Sequence, residues 1–116
     1  MSLSGKWWTV YDRDGNPIYL THERWSHIVD LDNHSEMMAY KNQLKSVIRK
    51  GHRQQEPLNP RKYRYTLAFD DLPDDFAHIV AIVLFGFDVD PVGHTIPNNF
   101  VATAFMKTIT AKGIKR

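Results

Sequence analysis

A chain of 116 residues, 42% hydrophobic and 24% charged, has the size and make-up of one globular domain and can bury a core without covalent staples. It contains no cysteine, which excludes disulfides, thiolate nucleophiles and cysteine-based zinc sites. The net charge of +2 conceals an asymmetry: eight Lys and Arg residues fall between positions 41 and 65 against Glu56 alone, and none between 65 and 106.

From the polar start, Met1 to Lys6, no secretory leader is expected. Lys6–Tyr11 is aromatic and β-prone, residues 12–17 (Asp-Arg-Asp-Gly-Asn-Pro) are turn formers, and Ile18–Leu20 resumes an extended pattern, which together predict a hairpin. Thr21 is placed to cap a helix, with Glu23 in its positive first turn and Trp25, Ile28 and Val29 on one apolar face. Asp32, Asn33 and Ser35 mark a break. A second helix is expected from Ser35 to Lys50, with Met37, Tyr40, Leu44, Val47 and Ile48 inward and Gly51 as its C-terminal stop.

His52–Glu56 reads as a short edge strand, Pro57 to Pro60 as a loop, Tyr63–Phe69 as a strand and Asp70–Asp75 as an acidic turn. His78–Val89 is an almost continuous apolar strand, predicted to be central, with Gly86 as a possible bulge. Residues 90–99 are expected to form a loop and Phe100–Ile109 the last strand. The longest apolar run, Ile79–Phe87, is too short to span a membrane as a helix. No membrane partner and a cytoplasmic location are therefore expected.

These elements predict a single α+β domain over 1–116. An N-terminal strand or hairpin (1–20) and two helices (21–50) would pack on a four-stranded antiparallel sheet (51–110), followed by a basic tail (111–116). Lys41, Lys45, Arg49, Lys50, Arg61, Lys62 and Lys107 are the candidate nucleic-acid contacts; the alternative is a solvated helix face and loop. Trp7, Trp8, Tyr63 and Tyr65 could stack bases or simply pack.

The stretch Leu20-Thr21-His22-Glu23-Arg24-Trp25-Ser26-His27-Ile28 resembles the helix-opening motif of a phage- and toxin-associated branch of the barnase–EndoU–colicin–RelE nuclease superfamily. His34-Ser35-Glu36 stands where that branch has a His-Pro-Glu element, with Ser in place of Pro. Phe100-Val101-Ala102-Thr103-Ala104-Phe105 is similar to its closing strand, which carries a Thr-Ala-aromatic step. The resemblance covers roughly residues 18–110. It implies a RelE- or barnase-like sheet and metal-independent endoribonuclease activity yielding 2′,3′-cyclic phosphates. It also implies RNA as partner, including ribosomal or transfer RNA, and an antitoxin protein if the chain is the toxin of a toxin–antitoxin or mobile-element system.

Such chemistry needs a proton carrier for the ribose 2′-OH, an acid for the leaving 5′-oxygen, and fixed donors around the phosphorane. The resemblance assigns His27 to proton transfer, Arg53 and Arg64 to phosphate and Thr103 to donation, with His52 and Lys107 nearby. Each has a plainer reading: His27 as a helix-surface residue, Arg53 as an edge-strand charge, Thr103 as a strand former, Arg64 as the polar side of its strand. Asp30, Asp32 and His34, or Asp88, Asp90 and His94, could ligate a hard cation, but both groups fall in turns where such residues serve the backbone. No metal or cofactor is expected: there is no Gly-rich phosphate loop, nucleophile elbow or credible Ser–His–Asp set. The alternatives are a non-catalytic RNA- or protein-binding module, or a small domain on the same fold whose basic stretch is merely solvated.

Overall fold

The computed structural model describes residues 5–108; the basic tail and Ile109 lie outside them. The chain enters as the hairpin β1 (Lys6–Tyr11) and β2 (Pro17–Thr21). Asp12 builds the turn between them. Its Oδ1 accepts from the backbone N–H groups of Asp14 and Asn16, each at 2.9 Å. Gly15 takes φ +83°, a conformation costly for any residue with a Cβ. Thr21 then caps α1 (His22–Ile28), its Oγ1 accepting from the Arg24 N–H at 3.0 Å.

The expected helix Ser35–Lys50 is two pieces: a single 3-10 turn at Ser35–Met37 and α2 at Lys41–Lys50. Met37 and Tyr40 keep the spacing of a helical stripe, and a 3-10 turn presents residues three apart on one side as well. The Glu36 carboxylate accepts from the Met106 N–H at 3.4 Å, tying this turn to the last strand. Gly51 caps α2 in extended backbone at φ −68°. It is glycine because of crowding: a Cβ there would press on the Val47 carbonyl and lie 2.9 Å from the Thr66 carbonyl oxygen. Gly51→Ala is expected to lower stability by about 1–3 kcal/mol in urea unfolding.

β3 (His52–Glu56) and β4 (Asn59–Ala68) form a hairpin, so the anticipated Pro57–Pro60 loop is only a tight turn. Pro60 lies inside β4, and its carbonyl accepts from Gln55 Nε2 at 2.8 Å. The expected strand His78–Val89 divides into β5 (Phe76–Leu84) and β6 (Phe87–Val89). Beyond Leu84, the Phe85 N–H still reaches the Arg61 carbonyl, but Gly86 is held by Asn98 and Asn99, and the chain turns away. The expected loop 90–99 holds β7 (Thr95–Pro97), which pairs with β6 in a separate ribbon; β8 (Phe100–Thr108) closes the fold.

The main sheet has six strands in the order β1-β2-β8-β5-β4-β3, with β2 parallel to β8. This overturns the expected four-stranded antiparallel sheet carrying a separate hairpin. The junction depends on Asn99, which is 4% exposed. Its carbonyl accepts from the Tyr19 N–H at 3.0 Å, its Nδ2 donates to the Pro17 carbonyl at 2.9 Å, and its Oδ1 accepts from the Gly86 N–H at 3.2 Å. One buried amide thereby joins the hairpin to the C-terminal strand.

One face of the sheet is the core. Val10, Ile18, Leu20, Tyr65, Ile79, Ala81, Val83, Val101, Ala104 and Met106 meet Leu44, Val47 and Ile48 of α2 and Ile28 of α1. Each large apolar side chain buried there contributes about 1.5–3 kcal/mol relative to exposure. No helix of the described residues is long and apolar enough to cross a membrane.

Candidate nucleic-acid interface

Strand alternation sends the intervening residues to the second face. The register arranges them in rows across β4, β5 and β8. Lys62, Leu84 and Phe100 form one row, which continues to Tyr19 of β2. Next come Arg64, Ile82 and Thr103, then Thr66, Val80 and Phe105, then Ala68, His78 and Lys107. Arg64 and Thr103 thus end one row, two strand spacings or about 10 Å apart. Val80 and Ile82 are buried at the centre, while the polar groups around them are half-exposed or exposed. Arg64 meets Glu56 through its buried Nε at 3.4 Å, in a half-buried pair.

α1 borders this face at the start of β8. Arg24 lines a cavity of about 190 Å³ with Tyr19, Thr21, Phe100 and Val101. His27 follows Arg24 by three residues, on the same side of the helix, and is exposed. Its carbonyl accepts from Asn33 Nδ2 at 2.9 Å, which secures the helix end. Burial and the Asp88 carboxylate push the Tyr19 phenol above its ordinary value, so it stays a neutral donor, to Asn98 Oδ1 at 2.5 Å.

Arg53 lies elsewhere. It pairs with Tyr65, a core-face residue, whereas Gln54 pairs with Arg64. Arg53 and Arg64 therefore occupy opposite faces of the sheet. Arg53 reaches the Asp14 carboxylate at 3.1 Å and that of Asp12 at 3.9 Å, and its guanidinium lies 4.7 Å from the centre of the Tyr63 ring. With Asp12, Arg13, Asp14, His52 and Tyr65 it lines a cavity of about 260 Å³.

The centre of that network is Asp12, whose side chain is 2% exposed. Asp12 Oδ2 accepts from Tyr65 Oη at 2.6 Å and from Asn16 Nδ2 at 3.0 Å. Burial alone would raise the Asp12 pKa, but the bonds from Tyr65, Asn16 and Asp14 outweigh it and hold the carboxyl below its ordinary value. Burial and the bond to Asp12 push the Tyr65 phenol far above its usual range, so it remains a donor. The sheet curls so that this network ties the β1–β2 turn to β3 and β4. Arg53, already flanked by two carboxylates, holds the fold together there. Sequence reasoning took Asp12 only as a turn former and Tyr65 as packing or stacking; it also passed over Arg24, Thr66 and His78.

The basic block is divided as well. α2 packs on the core face, so Lys41, Lys45, Arg49 and Lys50 belong to the helix side of the molecule. Lys41 and Lys45 place their ammonium groups 5.2 Å and 5.7 Å from the centres of Trp7 and Trp8, and the Lys50 carbonyl accepts from Arg13. Trp7 packs against His22 and Trp25. Lys62, Arg64 and Lys107 lie on the second face, whereas Arg61 alternates to the other face and lines a cavity with Tyr63 and Phe85. The Asp groups weighed as cation ligands close turns: Asp30 Oδ1 accepts from the Asp32 N–H, and Asp90 Oδ1 from the N–H groups of Val92 and His94.

Compared with known protein families, curated proteins and solved structures, the chain matches none.

Proposed function

We propose that the chain is a metal-independent endoribonuclease that holds RNA on the second face of its sheet. The observation that carries this reading is the row joining Arg64 to Thr103, with Lys62 in the next row on one side, His78 and Lys107 two rows away on the other, and Arg24 of α1 beside Phe100 at the border. The resemblance of residues 20–28 and 100–105 to the nuclease superfamily supports it independently of the sheet's strand count.

In the reaction the 2′-oxygen forms a bond to phosphorus as its proton leaves, the P–O5′ bond breaks, and O5′ takes up a proton. Histidine suits both transfers because its pKa lies near neutrality. His27 stands on the helix packed against β8, and His78 on the strand paired with it. His27 takes the 2′-OH proton, and the Arg64 guanidinium and Thr103 hydroxyl stabilise the charge on phosphorus. Lys62 and Lys107 track neighbouring phosphates.

An oligoribonucleotide with a single 2′-deoxy substitution at the cut should be inert, and cleaved DNA would refute the mechanism. Lys62→Gln should weaken RNA binding and reduce the slope of log affinity against log salt by about 0.7, the value for one phosphate contact on a single strand. An unchanged slope would remove Lys62 from the interface. Salt-dependent binding without turnover would leave the face as a binding surface only.

A further inference from the structure

We propose that the pocket where β5 gives way to β6 binds one unpaired nucleobase. This deepens the RNA reading and rests on it for the course of the chain past Lys62. The pocket has a volume of about 280 Å³, and its walls are Arg61, Tyr63, Phe85 and Phe87. Tyr63 and Phe85 pack with ring centres 4.7 Å apart and planes tilted by 50°. Phe87, 74% exposed, stands at the mouth. An aromatic ring so open to water leaves most of its apolar surface unburied, and covering it is favourable.

Arg61 supplies a second kind of stacking surface. Its Nε donates to the Phe85 carbonyl at 2.7 Å, which fixes the guanidinium plane. Gly86 lets that plane approach the backbone, since a Cβ there would lie 2.8 Å from Arg61 Nη2. Aromatic rings and arginine planes are the surfaces on which proteins stack unpaired bases. Asn99, also at the wall, spends its amide on Gly86 and Pro17, so it shapes the pocket and does not read a base edge. The site should therefore accept any base. Asp88 alternates to the opposite face of the ribbon from Phe87, which keeps its charge away from the mouth. Lys62 adjoins Arg61 and begins the row at this end of the second face. Arg61, Tyr63 and Phe85 alternate to the opposite face of the sheet from Lys62 and Arg64, so a strand whose phosphates pass Arg64 and Lys62 delivers its next base here by turning over the end of the sheet beyond Leu84.

Two measurements on the full chain test this. In the first, the ring signals of Tyr63, Phe85 and Phe87 are followed by NMR during titration with adenosine 5′-monophosphate and with ribose 5-phosphate. Shifts with the nucleotide alone are expected; shifts with both, or with neither, overturn the proposal. In the second, Phe87→Ala, a surface change, is compared with wild type for binding to a short single-stranded RNA. Affinity should fall about 5- to 150-fold, the range for loss of one base stack, with the salt slope unchanged. Unaltered affinity overturns the pocket and leaves the RNA-binding face standing. Nucleotide shifts in a protein that fails to bind RNA would support the pocket while refuting the RNA reading.

Discussion

Asp12→Ala is expected to cost about 3–5 kcal/mol of folding stability, the range for removing one member of a buried charged network. Three losses combine. The Tyr65 phenol, in a residue 1% exposed, is left without its acceptor at 2.6 Å. Arg53 keeps only Asp14 as counter-charge. The turn amides of Asp14 and Asn16 lose the oxygen that organises them. Tyr65→Phe keeps the Asp12 carboxylate and removes the hydroxyl bonded to it, and should cost less, about 1.5–3 kcal/mol.

The same network sets a pH dependence. The Asp12 carboxyl is held below its ordinary value when folded, so near that pH the unfolded chain binds more protons. Its contribution is present above the unfolded pKa of about 3.9 and is lost as pH falls through the folded value. Urea unfolding of wild type and Asp12→Asn at pH 7 and at stepwise lower pH measures this directly. The stability difference between them should shrink once pH drops below about 4. A constant difference would show that Asp12 is not held ionised by its partners.

The second large effect is on RNA cleavage. His27→Ala should lower the rate about 10²- to 10⁴-fold, as expected for loss of a general acid or base. Arg64→Ala should lower it about 10²- to 10³-fold, as for removal of one group stabilising transition-state charge. His27 is exposed and Arg64 is 39% exposed at the side chain, so both variants should unfold near the wild-type midpoint. Arg53→Ala should behave differently. It breaks the Asp12 network, so any activity it loses should follow its loss of stability. Equal midpoints for Arg53→Ala and wild type, with activity lost, would return Arg53 to the phosphate site.

Much of the local structure was legible because it is written in short-range chemistry. Thr21 announces a helix start by its hydroxyl, residues 12–16 announce a turn, and the Leu44, Val47, Ile48 stripe announces the buried side of α2. The edge-to-edge order of the sheet was not legible. The parallel contact of β2 with β8 depends on Asn99, whose partner Pro17 lies 82 residues away, and an Asn in a polar stretch reads as loop.

The division of Arg53 from Arg64 was hidden for a related reason. The faces of two strands are related only through their register, and a shift by one residue exchanges them. The β3–β4 pairing shifts by three residues at Gln55–Glu56, an odd number that exchanges the faces in the same way. His78 escaped notice because it begins an apolar strand, and only its pairing with Lys107 places it on the polar rows of the second face.

The most direct test is incubation of the purified chain with a mixed RNA pool in EDTA, beside His27→Ala and Arg64→Ala. Cleavage by wild type to products ending in 2′,3′-cyclic phosphate, lost in both variants while folding is kept, is the expected result. Intact RNA with folded wild-type protein, or cleavage that neither variant diminishes, would contradict the assignment of ribonuclease activity to this face.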